Sequence, residues 1–176
     1  MEEDTVVIFL DVDGVLHPLN EKHLPKLAKL DDLVARADSD MEHGEEPSYT
    51  SPPVEGEFLE ENMHHLCHIV STTSAKIVLS STWRETRCGQ AAVAFQLAKH
   101  GISTPIIGCT PILGMGTQNR VKEIEEFLNQ NQNVKRYVCL DDADLTGWAQ
   151  PGHFVRCNSG LGLTSADAKS AIDILC

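Results

Sequence analysis

Asp11, Asp13 and Gly14, inside the stretch TVVIFLDVDGVL from Thr5 to Leu16, set two carboxylates and a residue without a Cβ side by side. Two anions this close are costly when desolvated unless a cation or a bound proton compensates them. The pairing suits two-step nucleophilic catalysis, in which one carboxylate attacks and the other moves the proton. Two acids and a glycine also make a good turn, so the pattern alone does not decide. Three further groups carry matching chemistry: Ser80-Ser81-Thr82-Trp83-Arg84, the cations Arg120 and Lys122, and the acids Asp141, Asp142 and Asp144. Carboxylates gathered around one point form a hard, oxygen-rich site suited to magnesium, which prefers carboxylate, water and phosphate oxygens. A nearby guanidinium or ammonium balances the excess charge, and a hydroxyl beside strand-end N–H groups holds phosphoryl oxygens. Such an assembly brings an anionic phosphate monoester up to an anionic aspartate.

The elements that would position these groups are short. Val6 to Leu10 is an unalternated run of mostly β-branched and aromatic residues, which reads as a central strand covered on both faces. Lys76 to Leu79 is a second such strand and runs into Ser80; Ser103 to Gly108 supplies a third, Arg136 to Leu140 a fourth, and His153 to Val155 a fifth. Between them lie helical patterns: Phe58 to Val70, a helix through Ala91 to Ala98 closed by His100-Gly101, one beginning at Arg120, and Ser165 to Leu175. His17 to Leu33 suggests a short helix with Pro25 in its first turn. Ala35 to Glu57 is acidic, proline-rich and poor in apolar residues, and reads as a flexible loop or small flap. Strands alternating with helices predict an α/β fold, a doubly wound, mostly parallel five-stranded sheet with helices on both faces. Right-handed crossovers then bring every strand's carboxyl end, and every group named above, to one rim.

A chain of 176 residues buries one sizeable core and leaves little room for a second, so a single domain over residues 1–176 is expected. The net charge of -12 repels nucleic acid and anionic membranes at long range, so a phosphorylated partner must be held by a local patch or a metal. Part of that acidity is confined to Asp38 to Glu46. No apolar run approaches a membrane span, and Met1-Glu2-Glu3-Asp4 is unlike a secretory leader, so the expected location is the cytoplasm, with the nucleus also open. Six scattered cysteines without a CxxC fit free thiols in a reducing compartment better than a zinc knuckle or a disulfide frame, although the even count leaves disulfides open. The sequence leaves the oligomeric state open, and a monomer is compatible with it.

Taken together, DVDGV at Asp11 to Val15, the strand ending in Ser80, a basic residue before a helix, and LDDAD at Leu140 to Asp144 resemble the four successive motifs of the haloacid dehalogenase-like (HAD) hydrolases. LSSTWR, Thr110-Pro111 with NRVKEIEEFL following, and GLGLTSADAKSAIDIL are similar, more narrowly, to the HAD domains named after Swiss-army-knife RNA repair proteins. The resemblance runs from Val6 to Leu175. It implies a sheet of order 5-4-1-2-3 and, since the interval from Ser80 to Arg120 has room for one helix and one strand, no large cap domain.

The resemblance also implies roles. Asp11 would be the nucleophile that becomes an aspartyl-phosphate and a magnesium ligand. Asp13 would protonate the leaving alcohol and later activate water, with its backbone carbonyl on the metal. Asp142 would be the third metal ligand, with Asp141 its supporting neighbour or alternative. Ser80 would hold a phosphoryl oxygen. Arg120, at the helix start, is preferred to Lys122 as the motif cation, where many relatives have a lysine. Ser81, Trp83, Arg84 and Lys122 are candidate substrate contacts. Two of these have a plainer reading: Trp83 as packing, Arg84 as a bridge to an acid. His17 is read as a solvated loop residue or one reaching the pocket, His64 and His68 as a solvated helix face, and Cys139 as a small core hydrophobe.

The activity so implied is magnesium-dependent phosphate monoester hydrolysis, with a phosphorylated polynucleotide end as the leading substrate and a phosphoprotein or metabolite phosphate as alternatives. A non-catalytic module on the same fold is the competing class. A halide-releasing enzyme would not need the second acid, Asp13.

Overall fold

The computed structural model describes residues 4–19, 58–103, 106–114, 119–145 and 151–176. Five strands form one parallel sheet: β1 Thr5–Leu10, β2 Lys76–Leu79, β3 Ile106–Cys109, β4 Val134–Asp141 and β5 Phe154–Arg156, in the order β3-β2-β1-β4-β5. Among the described residues four α-helices accompany them: α1 Glu60–Thr73, α2 Arg87–Lys99, α3 Arg120–Gln130 and α4 Ser165–Leu175. The expected architecture and strand order are therefore present. Between Ser80 and Arg120 the described residues hold a 3₁₀ turn at Thr82–Glu85, α2 and β3, and no cap domain. The expected helix beyond Leu19 and the loop 35–57 lie outside the described residues.

Strand periodicity explains the two cores. Successive residues of β1 point to opposite faces, so Ile8 and Leu10 join Met63, Leu66, Ile69, Leu97, Ala168 and Ala171 on one side. Val7 and Phe9 join Ile124, Phe127, Tyr137 and Cys139 on the other. Phe9 meets Phe127 edge-on at 5.5 Å between ring centroids, which fixes α3 against the central strand. Cys139 is the small buried hydrophobe expected, and all six cysteines are free thiols. Among the described residues no helix is long and apolar enough to cross a membrane.

Element ends follow local chemistry. Thr164 and Asp167 form a reciprocal capping box that starts α4, and Thr86 caps α2 through the Gly89 N–H. Leu59, before α1, offers no side-chain cap; its N–H instead donates to the Leu16 carbonyl at 3.0 Å, which ties α1 to the loop after β1. Asn62 of α1, at 2% exposure, donates to the carbonyls of Leu161 and Leu163. Gly162 fits beneath it at φ 72°, where a Cβ would strike the Val15 carbonyl and the Asn62 amide. The loops after β1 and β5 are thereby fastened to each other and to one helix.

Candidate active site

Register brings the chemistry together. Leu10 pairs with Leu79 on one side and Leu140 on the other, so the next residues, Asp11, Ser80 and Asp141, stand abreast at the carboxyl rim. The backbone ladder extends into them: Asp11 N–H donates to the Leu140 carbonyl and Ser80 N–H to that of Leu10, both at 3.0 Å. Beyond Asp11 the chain turns tightly, with the N–H groups of Val15, Leu16 and His17 all directed to the Val12 carbonyl and Gly14 N–H to that of His17. Gly14 sits at φ 76°, and a Cβ there would collide with the Asp142 carboxylate. The glycine of DVDGV thus serves the turn and makes room for an acid from another strand.

Asp11, Asp141 and Asp142 each offer a carboxylate oxygen within 4.8 Å of the others. The Arg120 guanidinium enters among them from the first residue of α3, with Nη1 3.2 Å from Asp11 Oδ1 and 2.5 Å from Asp141 Oδ2. Burial, then the charge of Asp141, pushes the Asp11 carboxyl up to about 7, against the opposing pull of Arg120. Asp142 is raised for the same first two reasons. Burial lowers the Arg120 pKa, but Asp11 and Asp141 outweigh it and the net shift is upward. Three carboxyl groups thus gather about one described guanidinium, and two of them, Asp11 and Asp142, resist ionisation there. The donors of this cluster are all hard carboxylate oxygens, so a compact divalent cation such as magnesium fits the residues present.

The two adjacent acids differ in their surroundings. Asp141, 1% exposed, accepts the Arg120 guanidinium on Oδ2 and the Ala143 N–H on Oδ1 at 2.9 Å. Asp142 is half-buried and faces Gly14 across the turn. Asp141 is thus held by protein donors on both oxygens, and Asp142 is the more available to a ligand. Asp13, also half-buried, accepts a hydrogen bond on Oδ2 from the Trp83 indole Nε1 at 3.0 Å.

The remaining candidates separate. Ser80 and Ser81 are buried at the end of β2, with Ser81 Oγ accepting the Trp83 N–H as the N-cap of the 3₁₀ turn. Lys122 lies exposed on α3, two residues beyond Arg120. Arg84 is 5% exposed, and its bonds run to the carbonyls of Ser80, Ser81, Thr110 and Pro111 and, at 2.6 Å, to Glu123. Of its two readings, the structure displays the bridge to an acid. Glu123 in turn accepts the Leu113 N–H at 3.0 Å, so this buried pair links the end of β2, the chain after β3 and the helix that carries Arg120. Glu123 and Thr110, though part of the words that carry the resemblance, were given no role there; an acid three residues after Arg120 looks like ordinary helix surface. His17 corrects the solvated-loop reading. It is 2% exposed, its ring 4.6 Å from Phe58 and 5.6 Å from Trp83.

The family model described as "HAD domain in Swiss Army Knife RNA repair proteins" matches residues 7–168 of the chain. No curated protein and no solved structure matches it.

Proposed function

We propose, for a chain that belongs to the family of HAD domains in Swiss Army Knife RNA repair proteins, that it is a HAD-type phosphate monoester hydrolase working through an aspartyl-phosphate. The observation that carries this reading is the meeting of Asp11, Asp141 and Asp142 around one point with Arg120 between two of them, while Asp13 stands two residues from Asp11. Magnesium, when bound, would neutralise the phosphate's negative charge; Asp11, Asp142 and the Asp13 carbonyl would hold it, with Asp141 supporting them. In the first step an Asp11 oxygen bonds to phosphorus as the ester P–O bond breaks. The departing oxygen takes its electron pair and the Asp13 proton, and leaves as the alcohol. In the second step water attacks the same phosphorus, gives a proton to the Asp13 carboxylate, and the bond to Asp11 breaks to restore the free aspartate. Ser80 lies beside Asp11 to receive a phosphoryl oxygen.

Gly14 provides a test of the metal site. Alanine there meets both the left-handed backbone and the Asp142 carboxylate, which must move. Displacing a ligand-bearing carboxylate is expected to weaken magnesium binding by about 10- to 100-fold. Calorimetric magnesium titration of Gly14→Ala, with circular dichroism to show the sheet intact, checks this; unchanged affinity would remove Asp142 from the ligand set.

For the substrate we favour a phosphorylated polynucleotide end, with phosphoprotein and metabolite phosphates as alternatives. Family membership supports that choice, while the net charge of -12 works against extended contact with a polyanion. Arg84 adds little to a local positive field, since Glu123 and four carbonyls already take up its donors. A terminal phosphate, however, requires few backbone contacts. Phosphate release should be compared on 3′- and 5′-phosphorylated DNA and RNA oligomers, mononucleotides, phosphopeptides and sugar phosphates at fixed magnesium and ionic strength. The polynucleotide reading expects a higher kcat/KM on an oligomer end than on its mononucleotide, with only a shallow dependence on salt. Equal or better turnover of the small compounds would replace it with a metabolite phosphatase. Magnesium binding without any phosphate release would favour the non-catalytic module.

A further inference from the structure

We infer that Trp83 is a positioning residue for the acid–base carboxylate: its indole N–H holds Asp13 by Oδ2 and so sets the direction in which that carboxyl group faces the leaving group. This role rests on the phosphate-ester reading of the site. Trp83 Nε1 donates to Asp13 Oδ2 at 3.0 Å from a position 70 residues away in sequence, so the bond is made by the fold and not by local turn chemistry.

The donor is held from several sides. Trp83 is 7% exposed, and its ring packs against His17 at 5.6 Å and Phe58 at 5.9 Å. His17 is itself joined to the Asp13 turn, because its carbonyl accepts the Gly14 N–H at 2.6 Å. On the backbone side, the Trp83 N–H meets Ser81 Oγ, and Gly89 lies so close that a Cβ there would strike the Trp83 carbonyl. Indole N–H is a donor only and has no acceptor role. The bond to Oδ2 limits rotation of the Asp13 carboxyl group, so the direction in which it offers or takes a proton is set by the fold. When the leaving alcohol has taken that proton, the same N–H stays on Oδ2 and holds the carboxylate in place to receive a proton from water. The arrangement needs no movement of Trp83 between the two steps.

The test is the dependence of kcat/KM on the leaving group, because kcat/KM covers only steps up to departure of the alcohol. An activated aryl phosphate such as p-nitrophenyl phosphate leaves with little help from an acid, whereas an alkyl phosphate requires the proton. Trp83→Phe removes the N–H and keeps an aromatic ring. Replacement of Trp83 by benzothienylalanine, which exchanges N–H for sulfur in a ring of the same shape, guards against loss of folding. In both variants the loss of kcat/KM is expected to grow with the leaving group's pKa, from a few-fold on p-nitrophenyl phosphate to about 100-fold on an alkyl phosphate, the scale of a misplaced catalytic group. Asp13→Asn should show the same trend more steeply. A loss equal across all leaving groups, or no loss in the benzothienylalanine protein, overturns the positioning role while leaving the phosphatase reading intact. Absence of phosphate release by the native chain, or release unaffected by Asp11→Asn, overturns the phosphatase reading itself and this role with it.

Discussion

Asp11→Asn is expected to lower phosphate release by at least about 10³-fold, because the amide cannot form the aspartyl-phosphate that splits the reaction into two steps. Asp13→Asn should cost about 10²- to 10⁴-fold, the usual range for a general acid–base group. Neither change should unfold the protein. Asp11 already resists ionisation, its carboxyl being pushed up to about 7 by burial and by Asp141, so a neutral amide removes charge that the site tolerates poorly. The metal-free Asp11→Asn protein should therefore be at least as stable as the native one near neutral pH, even as turnover disappears. The two substitutions differ in what accumulates. With Asp13→Asn, rapid-quench labelling with an activated ester should trap phosphate on the protein; with Asp11→Asn it should not. A labelled Asp11→Asn protein, or native turnover in both variants, would put the nucleophile elsewhere.

The elements and motifs were legible because the signals behind them are local. Short unbroken apolar runs located β1 and β2, and the Thr164 and Asp167 pair marks the start of α4 at Ser165, where the helical pattern also begins. β5 proved to be Phe154–Arg156, one residue later than the run His153 to Val155 suggested, because His153 ends a 3₁₀ turn and stacks on Tyr137. What a single sequence leaves open is partner choice over distance. Arg84 finds Glu123, and Trp83 finds Asp13, only once the sheet has brought the β1, β2 and α3 ends together. His17 looked like a loop residue because Phe58 and Trp83, which bury it, are far away in sequence. The pair Asp141 and Asp142 illustrates the same limit from the opposite side. Identical neighbours acquire different surroundings because one closes a strand inside the core and the other follows it, half-buried, with its carboxylate against Gly14.

Arg120→Met, which keeps an unbranched apolar stem and removes the charge, is expected to destabilise the metal-free protein by about 3–5 kcal/mol at pH 8, the cost of breaking a buried pair from one side. The guanidinium sits between Asp11 and Asp141, and its loss leaves both carboxylates buried without it. The pH dependence follows from Asp11, whose native carboxyl is pushed up to about 7 from 3.8. An acid raised in the folded state holds its proton where the unfolded chain has released it. Its stabilising contribution is full at low pH and is lost as pH rises toward 7. Arg120 pulls Asp11 downward, so removing it raises that carboxyl further and carries the loss to higher pH. The gap between Arg120→Met and the native protein should accordingly narrow at pH 5, where Asp11 is protonated in both, and widen at pH 8. Magnesium should recover part of the gap at pH 8 by replacing the missing positive charge among the same oxygens. Arg120→Lys should fall between, since an ammonium restores the charge but not the reach and planar geometry with which the guanidinium Nη1 meets both carboxylates. Denaturant titrations at both pH values, with and without magnesium, measure all four effects. A loss independent of pH and of magnesium would mean that Arg120 acts through packing alone, and charge balance at the rim would need another source.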